Sequence, residues 1–256
     1  MFQSLPGLRY GDDPRQALDL FLPERESPRL FMFVHGGGWR GGDKQQYQAM
    51  GELLANFGYA VALPNHRLAP EHPHPAAAQD VAAALAWVLK TAKESGIRRN
   101  GIILAGHSSG AHLAALVALH PHLLEEAGVA RGSVAGVIGI SGIYDLTAYQ
   151  GTPGEGGAAA YLAPAFGSGP AAWAEASPVR HVHPGAPPFL LAHAEFDYPG
   201  AAAQSAAMAA ALQQAGANAE VVEVPERDHI SILTGVQSLF DPLALSLALF
   251  LRAVRQ

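Results

Sequence analysis

The stretch GIILAGHSSGAHLAALVALH, Gly101 to His120, reads as a strand, a sharp turn and a helix joined without a spacer. Ile102 to Ala105 form an apolar run with no polar alternation, the pattern of a strand buried on both faces. From Ser109 onward the apolar residues recur at helical spacing. Two glycines, Gly106 and Gly110, stand on either side of Ser108. A turn this tight lifts one side chain above the sheet and strains its backbone. It also leaves no room for a Cβ two positions before or after that residue. The glycine spacing therefore marks Ser108 as an exposed hydroxyl at the carboxyl end of a strand. Ser109, its neighbour, lacks glycines at both of those positions.

Strands and helices alternate outward from this turn. QALDLFLP (Gln16 to Pro23) alternates like a half-exposed edge strand, and RLFMFVHG (Arg29 to Gly36) is a near-continuous apolar run. KQQYQAMGELLANFG has helical spacing and stops at Gly58, and YAVALPN from Tyr59 is the next strand. A long helix follows, opened by Pro75 and closed by Gly96. After the opening stretch come VAGVIGIS and PPFLLAHA (strands), AAAQSAAMAAALQQAG (helix), AEVVEVP (strand) and a terminal helix from about Pro242. This order implies an α/β fold, a mostly parallel twisted sheet with helices on both faces and right-handed crossovers. In such sheets ligand chemistry gathers beyond the carboxyl ends of the strands. Residues 1–256 are expected to form one domain. Within it, residues from about 147 to 186, rich in Gly and Pro, are expected to form a partly helical, lid-like insertion over that edge.

Composition excludes several function classes. Charged residues are 15% of the 256, and the net charge of −6 argues against a nucleic-acid partner or an anionic membrane surface. The chain has no cysteine, so disulfides, thiol catalysis and cysteine-ligated metals are absent. The N-terminus lacks the pattern of a secretory signal. The most membrane-like segment, LALSLALFL from Leu243, is far below the roughly 20 residues needed to span a bilayer. The expected location is cytoplasmic, as a monomer or homodimer.

A serine hydroxyl needs a base, and the base needs an orienting carboxylate. Position chooses His229 from the twelve histidines, because VPERDHIS follows the last strand at the same sheet edge as Ser108. PPFLLAHAEFDYPG offers Asp197, with Glu195 as fallback; Asp197 is preferred because it lies in the loop beyond the strand. Asp145 is an alternative acid read as a loop anchor, and Asp228 is read as closing its own loop. The order Ser, Asp, His along the chain suits this architecture. FVHGGGWRGGDK supplies backbone donors after another strand: the N–H groups of Gly37 and Gly38, with that of Ser109, form an expected oxyanion hole. His35 is expected to hold that loop, and His112 to pack. Trp39, His107, Phe166 and Tyr198 are the expected substrate-binding side chains. Three H-x-H pairs, His72/His74, His120/His122 and His181/His183, lack a third ligand at convincing spacing, so neither a metal nor another cofactor is expected.

HGGGW (His35 to Trp39), HRLAPEHPHPAAAQD (His66 to Asp80), GHSSGAH (Gly106 to His112), HAEFD (His193 to Asp197) and DHI (Asp228 to Ile230) together resemble the α/β-hydrolases, and within them the bacterial esterases related to hormone-sensitive lipase. The resemblance implies an eight-stranded sheet, the triad Ser108, Asp197 and His229, and hydrolysis of small to medium carboxylic esters without a cofactor. Two departures stand out: only 34 residues precede His35, where that family carries a long cap, and His193 is followed by Ala194 rather than Gly. SGIYDL, Ser141 to Leu146, also resembles the arylformamidases, which more often have a bulky residue at the position of Gly38. The alternatives are thus N-formylkynurenine hydrolysis by the same triad, or a non-catalytic ligand-binding member of the fold.

Overall fold

The computed structural model of the chain describes residues 2–24, 30–94, 101–151, 157–236 and 241–254. Among these, eight strands form one sheet: β1 (Phe2–Arg9), β2 (Ala17–Pro23), β3 (Leu30–Val34), β4 (Ala60–Pro64), β5 (Ile102–His107), β6 (Val134–Ile140), β7 (Phe189–Phe196) and β8 (Ala219–Asp228). Their order is β1-β2-β4-β3-β5-β6-β7-β8. β1 and β2 run antiparallel to their neighbours, and every pairing from β4 through β8 is parallel. β3, β4 and β5 are buried along their whole length, which is why their sequences carry no alternation.

The helices are α1 (Gln48–Asn56), α2 (Ala76–Glu94), α3 (Ser109–Leu119), α4 (Leu123–Glu126), α5 (Gly157–Phe166), α6 (Pro170–Glu175), α7 (Ala201–Gln214), α8 (Ser231–Thr234) and α9 (Pro242–Ala253). They cover both faces. Leu85 and Val88 of α2, Leu113 and Leu116 of α3 and Met208 and Leu212 of α7 pack against Met32, Leu104 and Val137 on one side. Ala55 of α1 and Leu243, Phe250 and Leu251 of α9 pack against Phe31, Ile103 and Ile138 on the other. α3 is buried at every position, so its sequence is apolar around the whole circumference. No helix among the described residues is long and apolar enough to cross a membrane.

Two expectations need correction. QALDLFLP is not an edge strand: β1 pairs outside it and Leu18, Leu20 and Phe21 are buried. β1 itself is masked in the sequence by Pro6-Gly7, which reads as a turn. In the structure those residues form a bulge between Leu5 and Leu8, and the Gly7 N–H reaches the Asp19 carboxylate at 2.8 Å. Proline is tolerated there because β1 is the true edge. The stop expected at Gly96 lies outside the described residues.

Buried polar groups tie the loops at the carboxyl edge. Asp80 at the start of α2 accepts from the Arg67 backbone N–H at 2.8 Å, from its guanidinium at 2.7–3.1 Å and from Gln16 at 2.7 Å. His35 stacks on His66 with ring centres 4.3 Å apart. Its Nδ1–H donates to the Gly36 carbonyl at 2.8 Å, which leaves Nε2 to accept from Arg15 at 3.4 Å.

Burial pushes the imidazoles of His35 and His112 down to about 3, and those of His66 and His107 down to about 4. Their folded values lie below the unfolded one. The stabilisation is therefore complete above about 6.5 and is lost as pH falls toward the folded values, at most ~1.4 kcal/mol per pH unit for each group. Urea unfolding followed from pH 7.5 to 5 is expected to show stability declining throughout, with these rings taking up about four protons on unfolding near pH 5 and His74 and His120, also lowered by burial, adding to that uptake. A flat profile would exclude four neutral buried rings.

Candidate active site

The turn at Ser108 is as tight as its glycines require. Ser108 has φ 55° and ψ −122°, a backbone that non-glycine residues rarely adopt. A Cβ on Gly106 would strike the Gly110 carbonyl, and one on Gly110 would strike the carbonyls of Val34 and His35. The Ser108 N–H is held by the Ile140 carbonyl at 2.8 Å. Ser108 is half-buried, whereas Ser109 is 1% exposed with its hydroxyl enclosed, so only Ser108 presents a hydroxyl to solvent.

The structure brings Ser108, His229 and Asp197 together from three chain segments. The imidazole of His229 gives its Nδ1–H to Asp197 Oδ1 at 2.6 Å, and its Nε2 lies 3.1 Å from Ser108 Oγ. With Nδ1 protonated, Nε2 carries the lone pair and faces the hydroxyl. Asp197 follows β7, and its side chain is 2% exposed. Its Oδ1 also accepts from the Tyr198 N–H at 2.8 Å, while Oδ2 accepts from Ser141 Oγ at 2.5 Å and the Ala194 N–H at 3.0 Å. Burial works to raise this carboxyl, but the hydrogen bonds from His229, Ser141 and Ala194 outweigh it and hold the group at about 2.

The loop after β3 passes directly beside Ser108. A Cβ on Gly36 would sit 3.2 Å from that of Ser108. Gly37 and Gly38 have φ of 129° and 62°, and Gly37 accepts the N–H groups of Arg40 and Gly41 in a tight turn. No hydrogen-bond acceptor faces the N–H of Gly37, Gly38 or Ser109 among the described residues. These three N–H groups lie on the two turns that meet where Gly36 approaches Ser108.

The other candidates divide. Glu195 is exposed on β7 and accepts from the Glu226 N–H at 2.8 Å, pointing away from His229. Asp145 caps its own turn through the Thr147 N–H at 2.9 Å. Asp228 accepts from Ile230 and Ser231 at 2.9 and 2.7 Å. Tyr198 stands edge-on to the His229 ring at 5.7 Å, with its hydroxyl donated to the Gly142 carbonyl. Trp39, Phe166 and His107 are buried, each less than a tenth exposed. Trp39 gives its indole N–H to His112 Nδ1 at 3.1 Å and meets Phe166 edge-on at 4.8 Å, which pins α5 to the sheet. His107 is 4% exposed and donates to the His229 carbonyl at 2.8 Å. Several histidines of the H-x-H pairs are held by Glu175: His74 and His120 lie 3.1 and 3.6 Å from its carboxylate, and His181 donates to its carbonyl.

Sequence reasoning missed four residues. Tyr47 touches the site from the turn before α1, and Ser141, with φ 52°, holds the carboxylate. Tyr149 and Tyr161 continue the row begun by Tyr198, at ring distances of 6.0 and 5.5 Å. The Tyr161 hydroxyl lies where a Cβ on Gly38 would go. The signal available was faint: a serine directly after a buried strand for Ser141, and none for the tyrosines.

A family model described as BD-FAE matches residues 18–212. Esterase LipC of Mycobacterium tuberculosis is 32% identical, over 96% of this chain and 64% of that protein. A kynurenine formamidase of Drosophila melanogaster is 32% identical, over 54% of this chain and 45% of that one. Esterase B of Lactobacillus rhamnosis superposes with a TM-score of 0.83 at 25% identity, covering 99% of this chain and 85% of that structure. The chain spans 51 to 64% of the length of the first curated relatives it matches. The architecture is the α/β-hydrolase fold.

Ser141→Ala removes one hydrogen bond to a buried charge. It is expected to lower stability at pH 7 by about 1.5–3 kcal/mol. The loss should be much smaller in an Asp197→Asn background, because Ser141 acts on the charge. Equal losses in the two backgrounds, measured by urea unfolding, would contradict that assignment.

Proposed function

This chain belongs to the BD-FAE family, and from that premise we propose that it is a serine hydrolase cleaving small to medium carboxylic esters through an acyl-enzyme on Ser108. The observation that carries the reading is the unbroken line from Asp197 through His229 to Ser108, at 2.6 and 3.1 Å, beside three unengaged backbone N–H groups. His229 takes the Ser108 proton as Oγ attacks the ester carbonyl. The negative charge on the tetrahedral oxygen is received by the N–H groups of Gly37, Gly38 and Ser109. His229 then protonates the leaving alcohol, and a water activated in the same way releases the acid and restores Ser108. Asp197 holds the Nδ1–H tautomer and balances the imidazolium. Every group this cycle needs is a side chain or backbone donor, so the proposal includes no metal or other cofactor. The segment from about 147 to 186 acts as a lid-like insertion, and Tyr161 bounds the site on that side.

Relatives bearing esterase names favour the ester. The kynurenine formamidase match supports a second reading, aryl-formamide cleavage by the same residues. Here a side chain at position 38 would strike Tyr161. The acyl side is therefore shaped by an aromatic residue of α5 rather than by residue 38.

A fluorophosphonate probe is expected to label the enzyme stoichiometrically and to leave Ser108→Ala unlabelled. Asp197→Asn should keep the fold and lose about 10⁴-fold in kcat, because the wrong His229 tautomer faces the hydroxyl. Nitrophenyl acetate to butyrate, compared with N-formylkynurenine, decides between the readings. Turnover of the formamide alone would move the assignment to the second. No labelling of the unaltered protein would remove both.

A further inference from the structure

His107 and Tyr47 form a buried bridge between the two loops that must meet at Ser108. The His229 carbonyl accepts only, so His107 Nε2, 2.8 Å away, carries the proton. The ring is neutral, since burial holds it at about 4. Its Nδ1 is therefore an acceptor, and the Tyr47 hydroxyl 3.1 Å away is the donor. That oxygen in turn accepts the Gly36 N–H at 3.1 Å. Each hydrogen bond in the series has one possible direction, and the Tyr47 hydroxyl both accepts and donates. The series runs Gly36 N–H to Tyr47 Oη, Tyr47 O–H to His107 Nδ1, and His107 Nε2–H to the His229 carbonyl. The loop that carries the N–H groups of Gly37 and Gly38 and the residue that carries the base are thus joined behind the nucleophile. The His107 and His229 ring centres lie 4.8 Å apart.

We propose that Tyr47 and His107 are positioning residues of the hydrolytic site, fixing the distance between the oxyanion loop and the base through one directed hydrogen-bond series. Neither touches substrate; both act through the main chain of residues that do. The proposal rests on the serine-hydrolase reading above. Binding of the ester leaves the series unchanged, so its loss is felt in kcat rather than KM. The His107→Gln amide keeps one donor for the His229 carbonyl and one acceptor for the Tyr47 hydroxyl, so the series stays connected.

The test uses Tyr47→Phe, His107→Ala, His107→Gln and the double variant Tyr47→Phe/His107→Ala. Steady-state kinetics on nitrophenyl acetate are expressed per site titrated with fluorophosphonate, so unfolded protein is not counted. Tyr47→Phe and His107→Ala are expected to lose about tenfold or more in kcat, with KM within about twofold. His107→Gln should recover most of the His107→Ala loss, and the double variant should be no worse than the poorer single. Tyr47→Phe with unchanged kcat, a loss confined to KM, or His107→Gln as poor as His107→Ala would each overturn the proposal. Should Tyr47→Phe yield no titratable sites, the comparison of Gln with Ala at position 107 decides alone. Activity persisting in Ser108→Ala would instead overturn the serine-hydrolase reading itself.

Discussion

Everything at the site follows from the closeness of two backbone turns. The chain leaving β5 doubles back at Ser108 with φ 55°, and the glycines around it touch carbonyls rather than side chains. Gly110 lies against the end of β3, and Gly36, just beyond that strand, lies against Ser108 itself. One additional methyl at any of these places would force the two turns apart. The strain at Ser108 is held by its surroundings, through the Ile140 carbonyl and the start of α3. A buried α3, apolar on all sides, gives that strained residue a rigid support.

The second constraint is direction. Imidazoles have two nitrogens with opposite roles, and in this interior nearly every ring has its roles assigned by a neighbour with only one choice. The Asp197 carboxylate can only accept, which puts the His229 proton on Nδ1 and the lone pair on Nε2. The Trp39 indole can only donate, which makes His112 Nδ1 an acceptor and turns its Nε2–H to the Ala176 carbonyl at 2.8 Å. The Gly36 and His229 carbonyls do the same for His35 and His107. Burial then keeps the rings of His35, His66, His107 and His112 neutral at pH 7. Asp197 is the opposite case: a charge kept buried because Oδ1 and Oδ2 are both occupied by donors.

Much of this was legible in the sequence because it depends on backbone geometry. Glycines spaced around Ser108, and a glycine run after a buried strand, have few explanations besides a close turn. The alternation of strands and helices placed Asp197 and His229 at one sheet edge before any distance was known. What could not be read were features that depend on the partner of a side chain. Nothing in the sequence places Trp39 and Phe166 against each other and His112, or joins His107 to the His229 carbonyl. Pro6-Gly7 hid β1 because a bulge and a turn share the same residues. Tyr47 was unreadable because its partners, Gly36 and His107, lie on other elements.

The division between rigid site and variable cover also bears on substrate. Ser108, Asp197, His229 and the N–H groups of the glycine loop are positioned by the sheet and the first turns beyond its strands. The row Tyr198, Tyr149 and Tyr161 runs from the base to the space above Gly38, and two of the three come from the segment after β6 rather than from the sheet. A small residue at 38 and a tyrosine from α5 exclude volume at the same place as a large residue at 38 with nothing above it. Residue 38 alone therefore does not set the space above the glycine loop. Arg40 lies over the Tyr161 ring at 5.1 Å and ties α5 to that loop. The space in front of Ser108 is then bounded from two sides, by the loop after β3 and by the way the segment after β6 docks on it.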